Sequence, residues 1–600
     1  MTTAPNVADP PLRLWPGLTL AALLVLAAYV LPYAGPAYGG ATGMIAAVAG
    51  ALLILVWWLI ASRARWYERV GAIVLLAAAA AAQRFAVHAS IAGGAMGFMS
   101  YMVSIPTLSV ALVGWAWLRD RLAAGPRLAA ALVCAVLGCV PWMLVRTAGM
   151  SGGGTADLHW RWTPTPEERL LAQEHEAPAP IPDAPAAAAP AAQPASTGPA
   201  ATIAAPPPPV PTKAAEWPGF RGPARDSVVH GVAIATDWAA TPPVQLWRHG
   251  VGPGWSSFAV RGDRLYTQEQ RGEDEVVSCY RVSTGATVWR HRDHVRFWES
   301  NGGAGPRGTP TLKDGRVYTL GATGILNSLD ESSGAVVWSR NLSADAKVKV
   351  PMWGFASSPL VVGDLVIVAA SGTLAAFDVI SGEPRWVAPS VGGSYSSPHL
   401  ATIDGVAQVV LLGAGGATAV APATGTRLWD AKWESSVTIV QPSVIGDRDI
   451  LITTAAATGG EGVRRLALEH GGGTWTARER WTSNGLKPYF NDYVIHDGYA
   501  YGFDGSILSC IDLEDGARKW KGGRYGNGQI VLLAEQGLLL VTTEDGELAL
   551  VKAQPDQFTE VARVPALEGK TWNHPVLVRD TLLVRNDHEM AAFRLPVVKR

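Results

Sequence analysis

Cysteine is scarce, and its few positions exclude two kinds of architecture. Only four occur in 600 residues. Cys134 and Cys139 lie in an apolar stretch, and Cys279 and Cys510 lie far apart in the C-terminal half. With no CxxC and no vicinal pair, neither a disulfide framework nor a cysteine zinc site is expected. CxxCH is missing as well, which excludes an internal c-type cytochrome. Charge is also sparse. Charged residues make up 16% of the chain, against roughly 25% in a soluble domain, and a membrane portion produces that kind of deficit. Neither sign dominates, with 49 basic and 50 acidic residues and a net charge of −1. Nucleic-acid binders carry a basic face, so no nucleic acid is expected as a partner. P-loop, HExxH and GxSxG signatures do not occur. GAGPRG (303–308) matches GxGxxG, but a Thr-Pro and a short strand follow it instead of a helix, so it reads as a loop.

What the chain does have is 65 Gly, 42 Pro and 24 Trp, over a length that exceeds one compact domain. Apolar stretches occupy 14–34, 42–62, 70–91, 97–118 and 128–146. Each approaches the ~20 residues that cross the hydrocarbon core. The third is interrupted by Gln83, Arg84 and His88, and His88 is an ionisable group at membrane depth. The first stretch lacks a small-residue cleavage site and is followed at once by a second, unlike a cleaved signal peptide. Arg13, the loop with Arg63, Arg65 and Arg69, and the loop with Arg119, Arg121 and Arg127 fall on one side. By the positive-inside rule that side is cytoplasmic, so everything after residue 147 is exported. The expected location is a bacterial inner membrane, with the C-terminal part in the periplasm.

Thr165 and Glu168 have capping-box spacing around Pro166, which predicts a short helix. An Ala/Pro run at 177–212 follows. It cannot bury a core and reads as an extended tether.

Beyond it the sequence repeats. A small or polar residue, Gly, three residues and Trp recur at 284–289, 333–338, 381–386, 424–429 and 515–520, with a degenerate copy ending at Trp481. A second motif opens each unit: GWSSFAV (254–260), GPRGTPTL (305–312), GFASSPLVV (354–362), GSYSSPHL (393–400), TIVQPSVI (438–445), NDYVIHDG (491–498), GNGQIVLL (526–533) and TWNHPVLV (571–578). Copies are 37 to 52 residues apart, with β-branched and aromatic strands between them. A period near 45 with about four short strands per unit is a propeller signature. The last unit has room for three strands, and Val244–Trp247 supplies the fourth, closing the ring. Eight blades are expected, with seven as the runner-up. The expected fold is multi-domain: an N-terminal α-helical transmembrane bundle (1–147), a short helix with a Pro/Ala-rich linker (148–212), and an all-β eight-bladed propeller (213–600).

These Gly-x-x-x-Trp copies and the lead-in WPGFRGP (217–223) resemble the PQQ-type propeller family over roughly 217–596. The resemblance implies that each Trp packs between blades and that its indole N–H meets a backbone partner. It also implies two functional branches. One is a non-catalytic binding or scaffold module of the cell envelope, with envelope proteins as partners. The other is a PQQ- and calcium-dependent dehydrogenase of an alcohol or sugar that passes electrons to membrane quinone. The layout of five spans before a propeller is similar to that of membrane-bound quinoprotein glucose dehydrogenase. The propeller is short for the catalytic branch and has no vicinal cysteines, which leaves the cofactor unknown and the scaffold reading ahead.

The blade-opening motifs place Trp255, Arg307, Trp353, Tyr395, Gln441, Asn491, Asp492, Asn527, Gln529, Asn573 and His574 toward the axial channel. Aromatic faces with one Arg and several amides suit a planar anionic ligand such as a quinone carboxylate. The same polar groups would equally hydrogen-bond neighbouring blades. No metal site is assigned. Asp587 and Glu589 are carboxylates that could serve calcium, or simply a solvated turn.

Overall fold

The computed structural model describes residues 11–30, 41–123, 125–151, 156–176, 216–456 and 459–598. The chain divides into two compact units: Met1–Pro164 with Glu299–Gly303, and Thr165–Trp298 with Ala304–Arg600.

In the first unit a helix forms at each apolar stretch: Leu14–Val25, Ala41–Val56, Trp66–Gln83, Met99–Arg119 and Arg127–Met143. Among the described residues only Met99–Arg119 has both the length and the composition of a membrane span. Leu14–Ala28, Ile45–Ala61 and Arg127–Met143 are apolar but shorter. The expected third span is broken: its helix stops at Gln83, and His88 caps the separate short helix Ala89–Gly93. The described residues thus hold one span-length helix among shorter ones, and a five-span bundle is not shown. Apolar composition does not record that one helix stops at Gln83 and that a new one starts at the His88 cap.

Small and aromatic residues fill the interior of this unit, including Ala51, Trp57, Trp58 and Ala116, whereas Leu52, Ile60, Leu128 and Leu137 are exposed. The basic segments meet at one end. Trp57 donates to the Arg13 carbonyl (3.0 Å), Trp58 to that of Arg69 (3.2 Å) and Trp115 to that of Arg127 (3.1 Å). Arg119 is buried there and pairs with Glu68 at 2.8 Å.

The second unit is an eight-bladed propeller, so the seven-blade alternative falls. Eight sheets carry the blade strands, and their inner strands begin at Ala259, Thr311, Leu360, His399, Ser443, Tyr493, Gln529 and Val576, for blades 1 to 8 respectively. Middle strands such as Leu365–Ala370 are buried on both faces, because neighbouring blades cover each face. They therefore read as continuous apolar runs and not as alternation. Blade 8 has three strands of its own and takes Val244–Gly250 as its fourth, in antiparallel register with Glu589–Arg594. The closing strand is thus where the sequence places it. Blade 7 holds an unexpected fifth strand, Val228–Val229, parallel to Gln529–Leu533.

The docking tryptophans follow from burial chemistry. A buried indole must satisfy its N–H. Trp289 donates to the Glu331 carbonyl (3.2 Å), Trp338 to Val379 (3.1 Å), Trp386 to Pro422 (3.0 Å), Trp481 to Leu513 (3.0 Å) and Trp520 to Gln554 (2.7 Å). Each acceptor lies on the next blade. Trp429 differs, bonding the Gln408 side chain at 2.6 Å within its own blade, because blade 5 has no docking glycine to receive it.

The predicted helix Pro166–Glu176 forms, with its capping box made: Glu168 N–H donates to Thr165 Oγ1 (3.0 Å) and Thr165 N–H to Glu168 Oε2 (2.6 Å). It is docked on blade 1. Glu174 pairs with Arg271 and with Arg290 (2.8 Å), and Glu167 pairs with Arg296 (2.8 Å). The Ala/Pro run at 177–212 lies outside the described residues.

Candidate functional site

The eight opening motifs superpose on two rings around the propeller axis. One ring is formed by a residue at or just before the start of each inner strand: Ser257, Thr309, Ser358, Ser397, Gln441, Asp492, Gln529 and His574. All eight are buried, none more than 5% exposed. Two residues upstream lies a second ring, with Trp255, Arg307, Tyr395, Phe490, Asn527 and Trp572 among its members, all half-buried. The second ring forms the mouth of a funnel and the first its floor.

At the mouth the aromatic groups meet one another. Trp255 lies 4.8 Å from Trp572, and Phe490 lies 4.7 Å from Trp572 on the other side. Tyr489 adjoins Phe490 at 5.2 Å, and Trp353 adjoins Tyr395 at 5.0 Å. Lys570 Nζ lies over both Trp572 (4.4 Å) and Trp255 (5.1 Å). Trp572 also donates to Glu544 Oε1 at 2.9 Å, and Asn527 N–H donates to Glu544 Oε2 at 2.9 Å. Arg307 donates to the carbonyls of Trp353 (3.1 Å) and Gly305, and its guanidinium faces Phe297 at 4.9 Å.

At the floor the polar groups tie blade to blade. Gln441 Nε2 donates to the carbonyls of Ser397 and Pro398, both at 3.3 Å. Gln529 Nε2 bridges Phe490 (3.1 Å) and Trp572 (3.0 Å), and Asn573 Nδ2 reaches Ser256 at 2.7 Å. Asn491 Nδ2 bonds the Gly505 carbonyl at 3.3 Å within its blade. Asp492 forms a buried pair with Arg221, and burial outweighs that cation and raises its carboxyl above the usual range. His574 Nε2 meets Ser227 Oγ at 2.8 Å and Nδ1 meets the Pro575 carbonyl at 2.7 Å. The neutral ring with its proton on Nδ1 satisfies both contacts. Burial, with Arg221 near, holds its pKa down to about 3.

The predicted residues thus separate into two groups. Trp255, Arg307, Trp353 and Tyr395 lie at the mouth; Gln441, Asp492, Gln529 and Asn573 form the floor. The NH₂ groups of the three amides and the Asp492 carboxylate are committed to backbone and to Arg221, and the mouth aromatics contact one another. Those residues do not assemble the donor set and open flat slot that PQQ would need. Asp587 is engaged by His588 (2.8 Å) and Glu589 by Arg248 (2.9 Å). Among the described residues no three His, Cys, Asp or Glu side chains converge as metal ligands. His88 bonds Ser90 Oγ at 2.9 Å as a helix cap.

Sequence reasoning passed over Phe490, Trp572 and Lys570, although strict alignment of the opening motifs finds the first two. It noted the lead-in but not its reach to the axial floor. Residues 217–229 contact the axial floor: Trp217 pairs with Val260, Arg225 Nη1 donates to the Pro359 carbonyl (3.0 Å), and Arg221 Nη2 donates to that of Tyr493 (3.0 Å).

Ring closure, docking tryptophans and opening motifs define the class: this is an eight-bladed β-propeller whose repeats are similar to those of the PQQ type. The repeat-family model described as outer membrane protein assembly factor BamB matches residues 273–522. The chain is 22% identical over 367 residues to the outer membrane protein assembly factor BamB of Yersinia pestis, covering 57% of this chain and 86% of that protein. Among solved structures it is similar to BamB from Moraxella catarrhalis, at 18% identity over 60% of this chain and 99% of that one, TM-score 0.44. It is also similar to quinohemoprotein alcohol dehydrogenase from Comamonas testosteroni, at 12% identity over 64% of this chain and 81% of that one, TM-score 0.47.

Proposed function

We propose that the chain is a membrane-anchored, non-catalytic binding or scaffold module of the bacterial cell envelope. Its propeller is periplasmic, its N-terminus is cytoplasmic, and envelope proteins are its partners. The observation that carries this reading is the division of the funnel. Half-buried aromatic groups and Lys570 crowd the mouth, while the polar floor is spent on holding blades together. Such a mouth suits recognition of a partner's side chains and offers no reacting group. The relative named as an assembly factor is consistent with it. Membrane anchoring is supported by the first unit's exposed Leu and Ile exterior and by the gathering of its basic segments at one end. The geometry weighs against the alternative, a quinoprotein dehydrogenase that reduces membrane quinone.

The test has two arms. The purified full chain, incubated with PQQ and calcium, should reduce no dye with alcohols or aldoses. A photo-crosslinking residue at position 353 or 572 in membranes should trap a discrete envelope protein. Dye reduction abolished by Asp492→Ala would overturn the scaffold reading. A reporter fused at residue 160 that proved cytoplasmic would sink the topology.

A further inference from the structure

The lead-in directs two guanidinium groups at the axial floor, and only one has a carboxylate. Arg221 is 1% exposed and pairs with Asp492; Arg225 is 8% exposed and bonds only backbone carbonyls, those of Pro359 (3.0 Å) and Ser358 (3.3 Å). A buried, unpaired cation is costly. Burial and the neighbouring Arg221 push Arg225 down to about 9, still protonated at neutral pH. The two floor-side histidines offer no negative charge, and burial holds both His399 and His574 near 3. Asp226 of the lead-in is near enough to act on Asp492, but Arg225 has no carboxylate partner of its own.

Three buried nitrogens in this region lack a hydrogen-bond partner: Arg221 Nη1, Arg225 Nε and His399 Nδ1. The floor is also lopsided. Blades 1 to 4 contribute the small Ser257, Thr309, Ser358 and Ser397, whereas blades 5 to 8 contribute Gln441, Asp492, Gln529 and His574. Arg225 reaches the small side, at blade 3. The backbone is strained to bring it there. Arg221, Arg225 and Ser227 all have left-handed φ, at 64°, 55° and 64°, a conformation that costs a non-glycine residue about 1 kcal/mol or more. Three such residues within seven positions persist only where the surroundings enforce them.

We propose that the axial floor on the blade 1 to 4 side is a binding site for a small inorganic oxyanion, held by Arg225 and Arg221 with the serine hydroxyls around them. The anion pairs with the Arg225 cation and supplies acceptors to the unpartnered nitrogens. This site is independent of the funnel mouth and of the scaffold reading.

The purified full chain, exchanged into a low-anion buffer, is titrated with potassium phosphate and, at matched ionic strength, with potassium gluconate. Thermal midpoint and calorimetric heat are both followed. Phosphate should raise the midpoint saturably and give heat at one site per chain, while gluconate should do neither. Arg225→Met should abolish the response and raise the midpoint measured without phosphate. Ser358→Leu, which fills the small side and leaves every charge in place, should abolish the response too, and it provides the comparison should Arg225→Met not fold. Equal responses to phosphate and gluconate in the wild type would overturn the proposal, and so would an undiminished phosphate response in the folded variants.

Discussion

Gly334 shows how one residue fixes the packing of two blades. Its φ is 74°, and a Cβ there would lie 2.4 Å from Cε3 of Trp289 on the preceding blade. The glycine is needed twice, for the turn and for the indole. Gly334→Ala is therefore expected to cost about 2–3 kcal/mol in chemical denaturation. Gly363→Ala, at φ 58° with open space around it, should cost only about 1 kcal/mol. A second residue-scale expectation concerns His574 and His399, both held near 3 in the fold. An unfolded histidine titrates near 6.5, so the unfolded chain binds more protons between pH 6.5 and 3. Their stabilising contribution is present above 6.5 and is lost as pH falls through that window. Asp492 and Glu275, raised by burial, act in the opposite sense, so the contribution must be isolated by difference. His574→Gln should lose about 1–2 kcal/mol less than wild type between pH 7 and pH 5. An unchanged pH profile would refute the neutral buried ring.

The helix Pro166–Glu176 was legible as an element but not as a contact. Its capping box is local, within four residues, whereas its partners Arg271, Arg290 and Arg296 lie about a hundred residues on, where no spacing rule reaches. Glu174 lies over a buried group in which Arg271 also pairs with Glu269 at 3.0 Å. Removing Glu174 leaves that arginine short of one partner. Because the helix is held by Glu167 and Glu174 at two points, it should stay with the propeller after the chain is cut. A protease site inserted at residue 195, cleaved under native conditions, should leave the two fragments co-eluting in size-exclusion chromatography. Glu167→Ala with Glu174→Ala should expose the helix Pro166–Glu176 to further proteolysis. Glu174→Ala alone should cost about 1–3 kcal/mol, reduced from the fully buried value because its carboxylate is partly solvated. The helices of the first unit were legible in the opposite way. Hydropathy located all five but overran the third, because the helix stops at Gln83 and His88 caps the start of a new one, which an apolar average does not see.

For the molecule as a whole, the ring was legible because both of its motifs recur within one blade length, and a missing fourth strand can be counted. The axial floor was not, because its pairings join the lead-in to blades 133 and 272 residues away, as Arg225 to Ser358 and Arg221 to Tyr493. Closure itself is non-covalent, and two of its devices can be tested separately. One is the pairing of Val244–Gly250 with Glu589–Arg594. The other is Arg585, 1% exposed, whose fork spans blade 8 to blade 1. It donates to Thr267 Oγ1 (2.6 Å), Gln268 O (2.9 Å), Gly252 O (3.0 Å) and Gly254 O (3.3 Å). A chain ending at residue 588 would lose the third strand of blade 8 and leave both Thr581–Arg585 and Val244–Gly250 as unpaired edges, which invite association. It should lose the single cooperative unfolding transition and aggregate. Arg585→Met tests the second device alone. It strands three carbonyls and the Thr267 hydroxyl but keeps the strand pairing, so the ring should still close at a cost of about 3 kcal/mol. The loss should appear as faster proteolysis at blades 1 and 8 before the others. Uniform protection around all eight blades in that variant would show that Arg585 is not the latch.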